Sequence, residues 1–156
     1  MDSDLSAAFA ASLLAVELAT GWVTLTPDPS GDRVGAPAGG ELWVVTAFNP
    51  GGQLVSLEQN RAAHLELVEA LADVATMRTI AGNADASYVE PGLAFVADGS
   101  DLGLGLAARF GQAAVFRWCA EALDVVAVGG GLVSSTPWRR TEGLHPGLHD
   151  GLDLFG

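Results

Sequence analysis

Apolar and polar positions along the chain follow two periods, and the switches between them mark the expected elements. Ser6–Ala19 is rich in Ala and Leu, carries apolar Phe9, Leu13, Leu14, Val16 and Leu18, and stops at Thr20-Gly21. That pattern predicts an N-terminal helix. Trp22–Thr26 alternates at period two before Pro27-Asp28-Pro29 and predicts an edge strand. Residues 28–40 hold four glycines and two prolines and read as a mobile loop. Leu42–Phe48 is apolar on both faces, with Leu42, Val44 and Phe48 on one and Trp43, Val45 and Ala47 on the other, so it predicts a central strand covered on both sides.

Ser56 and Gln59 form a capping-box pair that opens a helix, and Leu57, Arg61, His64, Val68, Leu71 and Ala75 recur along it at helical spacing, which turns Arg61 and His64 toward the sheet. Strands are expected over Met77–Ala81 and over Tyr88–Ala97, the second interrupted by Glu90-Pro91-Gly92. Asp98-Gly99-Ser100 caps a helix over Asp101–Phe110 that Gly111 ends. Gln112–Trp118 and Val125–Val128 predict two more strands, and the chain beyond Gly129-Gly130-Gly131 is turn-rich. From Leu42 to Trp118 the order is β-α-β-β-α-β. The expected fold is therefore α+β: a two-layer sandwich with a ferredoxin-like core, plus the N-terminal helix and edge strands. One domain would span residues 1–131, with a tail over 132–156. Both helices would cover one sheet face, leaving the other to the N-terminal helix, the tail or a second subunit in a homodimer.

Composition narrows the partners. At 156 residues, 49% hydrophobic and 17% charged, the chain suits one folded core. Nineteen acidic against seven basic residues give a formal charge of -12, which repels phosphate backbones and disfavours nucleic acid. The same field would attract a basic protein or a cationic ligand. Cys119 is the single cysteine, so no intrachain disulfide or thiolate cluster can form, compatible with a reducing cytoplasm. The apolar run Ala7–Val16 follows Asp2 and Asp4 rather than basic residues and is too short to span a bilayer.

Four blocks, Thr46-Ala47-Phe48-Asn49-Pro50, Glu58-Gln59-Asn60-Arg61, Glu90-Pro91-Gly92 and Phe110-Gly111-Gln112-Ala113-Ala114-Val115-Phe116, occur in this order. With them the chain resembles the bacterial domain of unknown function 3293 family, over roughly Trp22 to Val128. Phe48 stands where that family often has Trp. The family carries no established activity, so the resemblance implies only that Thr46, Asn49, Asn60, Glu90 and Gln112 belong together.

Taken on topology alone, Asn49 leaves the end of one strand, Asn60 and His64 sit in the first turns of the following helix, and Glu90 enters an antiparallel strand near the same end. Gln112 opens a strand expected to run parallel to Leu42–Phe48, which would place it at the opposite end. A carboxylate beside a histidine and two amides can act as general base and orienting donors, with Glu90 and His64 as the catalytic candidates. Thr46, Asn49, Asn60, Arg61 and Gln112 are the ligand-binding candidates. Equally, Asn49 and Asn60 could satisfy the turn between them while Glu90 pairs with Arg61.

Gly103-Leu104-Gly105-Leu106-Ala107-Ala108 fits a loose dinucleotide pattern but falls inside the expected helix, where its glycines suit close helix-to-sheet packing instead. In His145-Pro146-Gly147-Leu148-His149-Asp150 the proline and glycine break the helical spacing of a metal site. No metal and no cofactor is expected. Two functions follow: a domain that binds a small polar ligand, with hydrolytic or transfer chemistry open to it, or a non-enzymatic acidic module for a basic protein.

Overall fold

The computed structural model describes every residue except Ala38. Nine antiparallel strands form one sheet: β1 (Leu13–Leu18), β2 (Gly21–Pro27), β3 (Leu42–Val45), β4 (Met77–Gly82), β5 (Val89–Val96), β6 (Ala114–Trp118), β7 (Leu123–Ala127), β8 (Leu132–Thr136) and β9 (Trp138–Glu142). Their order is β8-β7-β6-β3-β5-β4-β1-β2-β9. Helix α1 (Ser3–Ala11) precedes β1, α2 (Leu57–Ala70) joins β3 to β4, and α3 (Asp101–Arg109) joins β5 to β6.

The expected two-layer ferredoxin-like sandwich does not form. The sheet curls into a nearly closed barrel whose concave face makes a core of its own. Leu14 and Val16 from β1, Leu25 from β2, Val44 from β3, Phe116 from β6 and Val125 from β7 meet there. Trp118 on β6 and Trp138 on β9 touch edge-to-face across the interior, with ring centroids 5.9 Å apart, although five strands lie between β6 and β9 along the sheet. Curling buries the face that an open sheet would have left to another layer, so that face offers no surface to a second subunit.

Two misread segments account for the difference. The run expected as one helix over Ser6–Ala19 divides at Ser12, whose extended backbone (φ -68°, ψ 138°) ends α1. Leu13, Leu14, Ala15 and Val16 are all buried and belong to β1, between β4 and β2. A strand buried on both faces shows no period-two alternation, and next to an Ala-rich helix it is indistinguishable from that helix's continuation. The turn-rich tail supplies β8 and β9, and the 3-10 segment Pro146–Phe155 docks on the convex face, where Leu148 packs with Leu13, Ala15 and Ile80.

Helices α2 and α3 cover the rest of the convex face. Leu67 of α2 and Leu71 at its C-cap, with Leu106 of α3 and Phe110 at its C-cap, pack on Trp43, Val45 and neighbouring strand residues. Since Leu42 and Val44 face the barrel interior, β3 is buried on both sides. The capping box of Ser56 and Gln59 starts α2. Gly103 lies where a Cβ would come 3.0 Å from the Trp43 ring, so it serves helix-to-sheet packing, whereas Gly105 has nothing within 4 Å of that position. In the loop 28–40, Val34 and Gly35 accept hydrogen bonds from Trp138 Nε1 (3.2 Å) and an Arg140 guanidinium nitrogen (2.8 Å), while Ala38 lies outside the described residues. No helix among the described residues is long and apolar enough to cross a membrane.

Candidate functional site

Four chain segments converge at one end of the barrel. The first is the turn after β3, where Thr46 Oγ accepts from Phe48 N (3.0 Å) and donates to Pro91 O (2.8 Å), joining it to the start of β5. Asn49 then takes a left-handed conformation (φ 48°, ψ 65°), which asparagine tolerates better than most residues. The second is the first turn of α2, which brings Asn60 against Asn49. Asn49 N donates to Asn60 Oδ1 at 2.8 Å, and Asn60 Nδ2 donates to Asn49 Oδ1 at 2.9 Å.

Glu90, at the start of β5, is the third contribution. It is only 8% exposed, and its Oε1 accepts from Asn49 Nδ2 (3.2 Å) and from the Tyr88 hydroxyl. Burial pushes the Glu90 carboxyl up to about 7, against the pull of those two hydrogen bonds. The same burial, with the Glu90 charge beside it, raises the Tyr88 hydroxyl well above its usual range.

The fourth segment is the turn between α3 and β6. Gly111 (φ 68°) sits where a Cβ would meet Pro50 at 3.0 Å, and its carbonyl accepts from Gly51 N at 2.8 Å. The two turns therefore lock together, and Gln112 Nε2 donates to Phe48 O (3.0 Å) and Phe110 O (3.4 Å). Strand β6 pairs antiparallel with β3, not parallel as expected, which is why Gln112 lies at the Asn49 end and not the far one.

The turns after β3 and α3, the residues entering β5 and helix α1 enclose a cavity of about 400 Å³. Asn49, Glu90, Tyr88 and Gln112 line it on the barrel side, and Asp2, Asp4, Leu5, Ala8 and Phe9 on the helix side. Helix α1 contributes no buried residue, although Phe9 reaches the Phe116 ring with centroids 5.7 Å apart.

The remaining two candidates point elsewhere. His64 is buried, but it lies edge-on between Phe48 and Phe155, with centroids 6.3 and 5.5 Å away, and does not line the cavity. Burial lowers its pKa, so it is held neutral, and its Nδ1 has no partner among the described residues. Arg61 donates to Asp153 O in the C-terminal segment at 2.7 Å and makes no ion pair with Glu90. Of the seven candidates, Asn49, Asn60 and Glu90 are joined by hydrogen bonds, Gln112 lines the same cavity while holding the Phe48 carbonyl, Thr46 braces the turn, and His64 and Arg61 meet the C-terminal segment. Asn60 acts through Asn49 and is not itself among the residues lining the cavity.

Sequence reasoning missed Tyr88 and α1. Tyr88 stands two residues before Glu90 and so shares its face of β5, a period-two signal that was available. Nothing in the α1 sequence marks it as a cavity wall. His145 Nδ1 accepts from Gly147 N at 3.0 Å and so serves the 3-10 segment, and no metal-ligating cluster occurs among the described residues.

The architecture is thus a curled antiparallel sheet with a polar cavity at one end, built by the turns after β3 and α3 and the start of β5. The family model described as "Protein of unknown function (DUF3293)" matches residues 45–115, and over that segment the chain resembles the family. The match takes in Thr46, Asn49, Asn60, Tyr88, Glu90 and Gln112 but neither α1 nor the tail. No curated protein and no solved structure matches the chain.

Proposed function

We propose that the protein binds a small polar molecule in the barrel-end cavity, with Glu90 as its direct contact. The observation that carries this reading is a carboxyl group 8% exposed whose Oε1 is held by two protein donors while Oε2 has none among the described residues. Glu90 lines the cavity, and its Oε2 keeps contact with solvent. A carboxylate oxygen that the protein leaves unbonded is free to accept from a molecule held in the cavity. A volume of about 400 Å³ falls within the range of small-molecule sites. A carboxyl that titrates near neutrality is also suited to passing a proton, so acid–base chemistry on the bound molecule is open to the same residue.

The test is a thermal-shift screen of the full chain against small polar compounds, repeated with Ala8→Trp. Ala8 is exposed on α1 and borders the cavity, so tryptophan there fills the space without disturbing the core. Compounds that raise the melting temperature of the wild type and not of Ala8→Trp support the site. If no compound stabilises the wild type, the proposal fails.

A further inference from the structure

Building on that proposed site, we infer that its ligand is a small organic ammonium ion with an apolar stem. Most side-chain donors around the cavity are engaged by protein acceptors, while Asn49 Nδ2 and Asn83 Nδ2 each keep a second N–H. Asn49 Nδ2 and the Tyr88 hydroxyl point at Glu90 Oε1, Ser12 Oγ donates to Ala8 O (2.8 Å), and Asn83 Nδ2 donates to Ser87 Oγ (2.9 Å). Gln112 Nε2 lies between the carbonyls of Phe48 and Phe110, which fixes the orientation of its amide. Among the buried side chains lining the cavity, the polar atoms left without a partner are acceptors. Glu90 Oε2 and Gln112 Oε1 belong to side chains only 8% exposed, and neither oxygen has a hydrogen-bond partner among the described residues.

The charges agree with the hydrogen bonds. Asp2 and Asp4 line the cavity from the start of α1, and no Lys, Arg or His does. An anion would meet only like charge there. An ammonium group brings three donors and the opposite charge. Leu5, Ala8, Phe9 and Phe116 form the apolar part of the wall, which suits an aliphatic or aromatic stem.

Hexylamine, 1-hexanol and hexanoate share a stem and differ in the head group, so they isolate the assignment. Calorimetry and thermal shift on the full chain at about pH 8, where Glu90 is ionised, should show binding of hexylamine alone, weakened about tenfold or more by Glu90→Gln. Ala8→Trp should abolish it and guards against a Glu90 variant that fails to fold. Hexanol or hexanoate binding as tightly as hexylamine overturns the inference, and so does hexylamine binding that survives both substitutions. If no amine binds but another compound of the screen does and is blocked by Ala8→Trp, the ammonium assignment falls while the site stands. If nothing binds at all, both fall.

Discussion

Asn49 and Asn60 hold each other by two hydrogen bonds, one from backbone to side chain at 2.8 Å and one from side chain to side chain at 2.9 Å. Both residues are buried, Asn49 at 7% and Asn60 at 5% exposure. Through Asn49 Nδ2 the pair orients the Glu90 carboxyl, so the first turn of α2 sets the geometry of a cavity it does not line.

Asn60→Ala leaves the buried Asn49 backbone N–H without its acceptor and takes one donor from the Asn49 amide oxygen. It should lower stability by about 2–3 kcal/mol. Urea denaturation monitored by tryptophan fluorescence measures this, and a loss below half a unit of that scale would show that Asn49 finds other partners.

Glu90 should make stability fall as pH rises. Its folded pKa, about 7, lies above the ordinary value of 4.5, so the folded state keeps a proton that the unfolded chain releases. The favourable contribution is complete below pH 4.5, declines through the window up to about 7 and is absent above it. The whole effect is on the order of 3 kcal/mol. Comparing melting temperature against pH for wild type and Glu90→Gln isolates it: the difference between the two should change across this window and be flat outside it. The groups around the carboxyl, Tyr88, Asp2 and Asp4, are unchanged in that variant.

His64 works in the opposite direction. Its folded pKa is lowered from 6.5 by burial, so the unfolded chain takes up a proton first and stability is lost as pH falls below about 6.5. His64→Phe, which keeps an aromatic ring between Phe48 and Phe155, should reduce this acid sensitivity while ligand binding at the barrel end is unaffected. Loss of binding in that variant would place His64 in the site after all.

Trp138 is fully buried inside the barrel, against Trp118. Trp138→Ala should cost about 3–5 kcal/mol. A chain ending at residue 131 loses β8, β9 and the segment that carries Leu148, and should show no cooperative thermal transition. A truncated chain that melted cooperatively near the full-length temperature would mean the barrel does not need its tail.

Local rules were sufficient wherever a pattern and its boundary were both written in adjacent residues. Ser56 and Gln59 fix the start of α2 by their side chains, and Leu42–Val45 announces a strand covered on both sides by having no polar face. Asn49, Asn60 and Glu90 were readable as one group because a single strand-to-helix connection and an antiparallel neighbour bring them to the same end. What the sequence could not determine is how far the sheet extends and whether it closes. Leu13–Val16 satisfies a helix and a buried strand equally, and only pairing with β4 and β2 decides between them. The tail's strands carry weak local signals because β9 is selected by the place Trp138 finds beside Trp118, a contact across the barrel rather than along the chain. The antiparallel course of β6 follows from the same long-range pairing. It is that choice, made by tertiary structure, that brings Gln112 to the cavity Glu90 lines, where both present unpartnered acceptors.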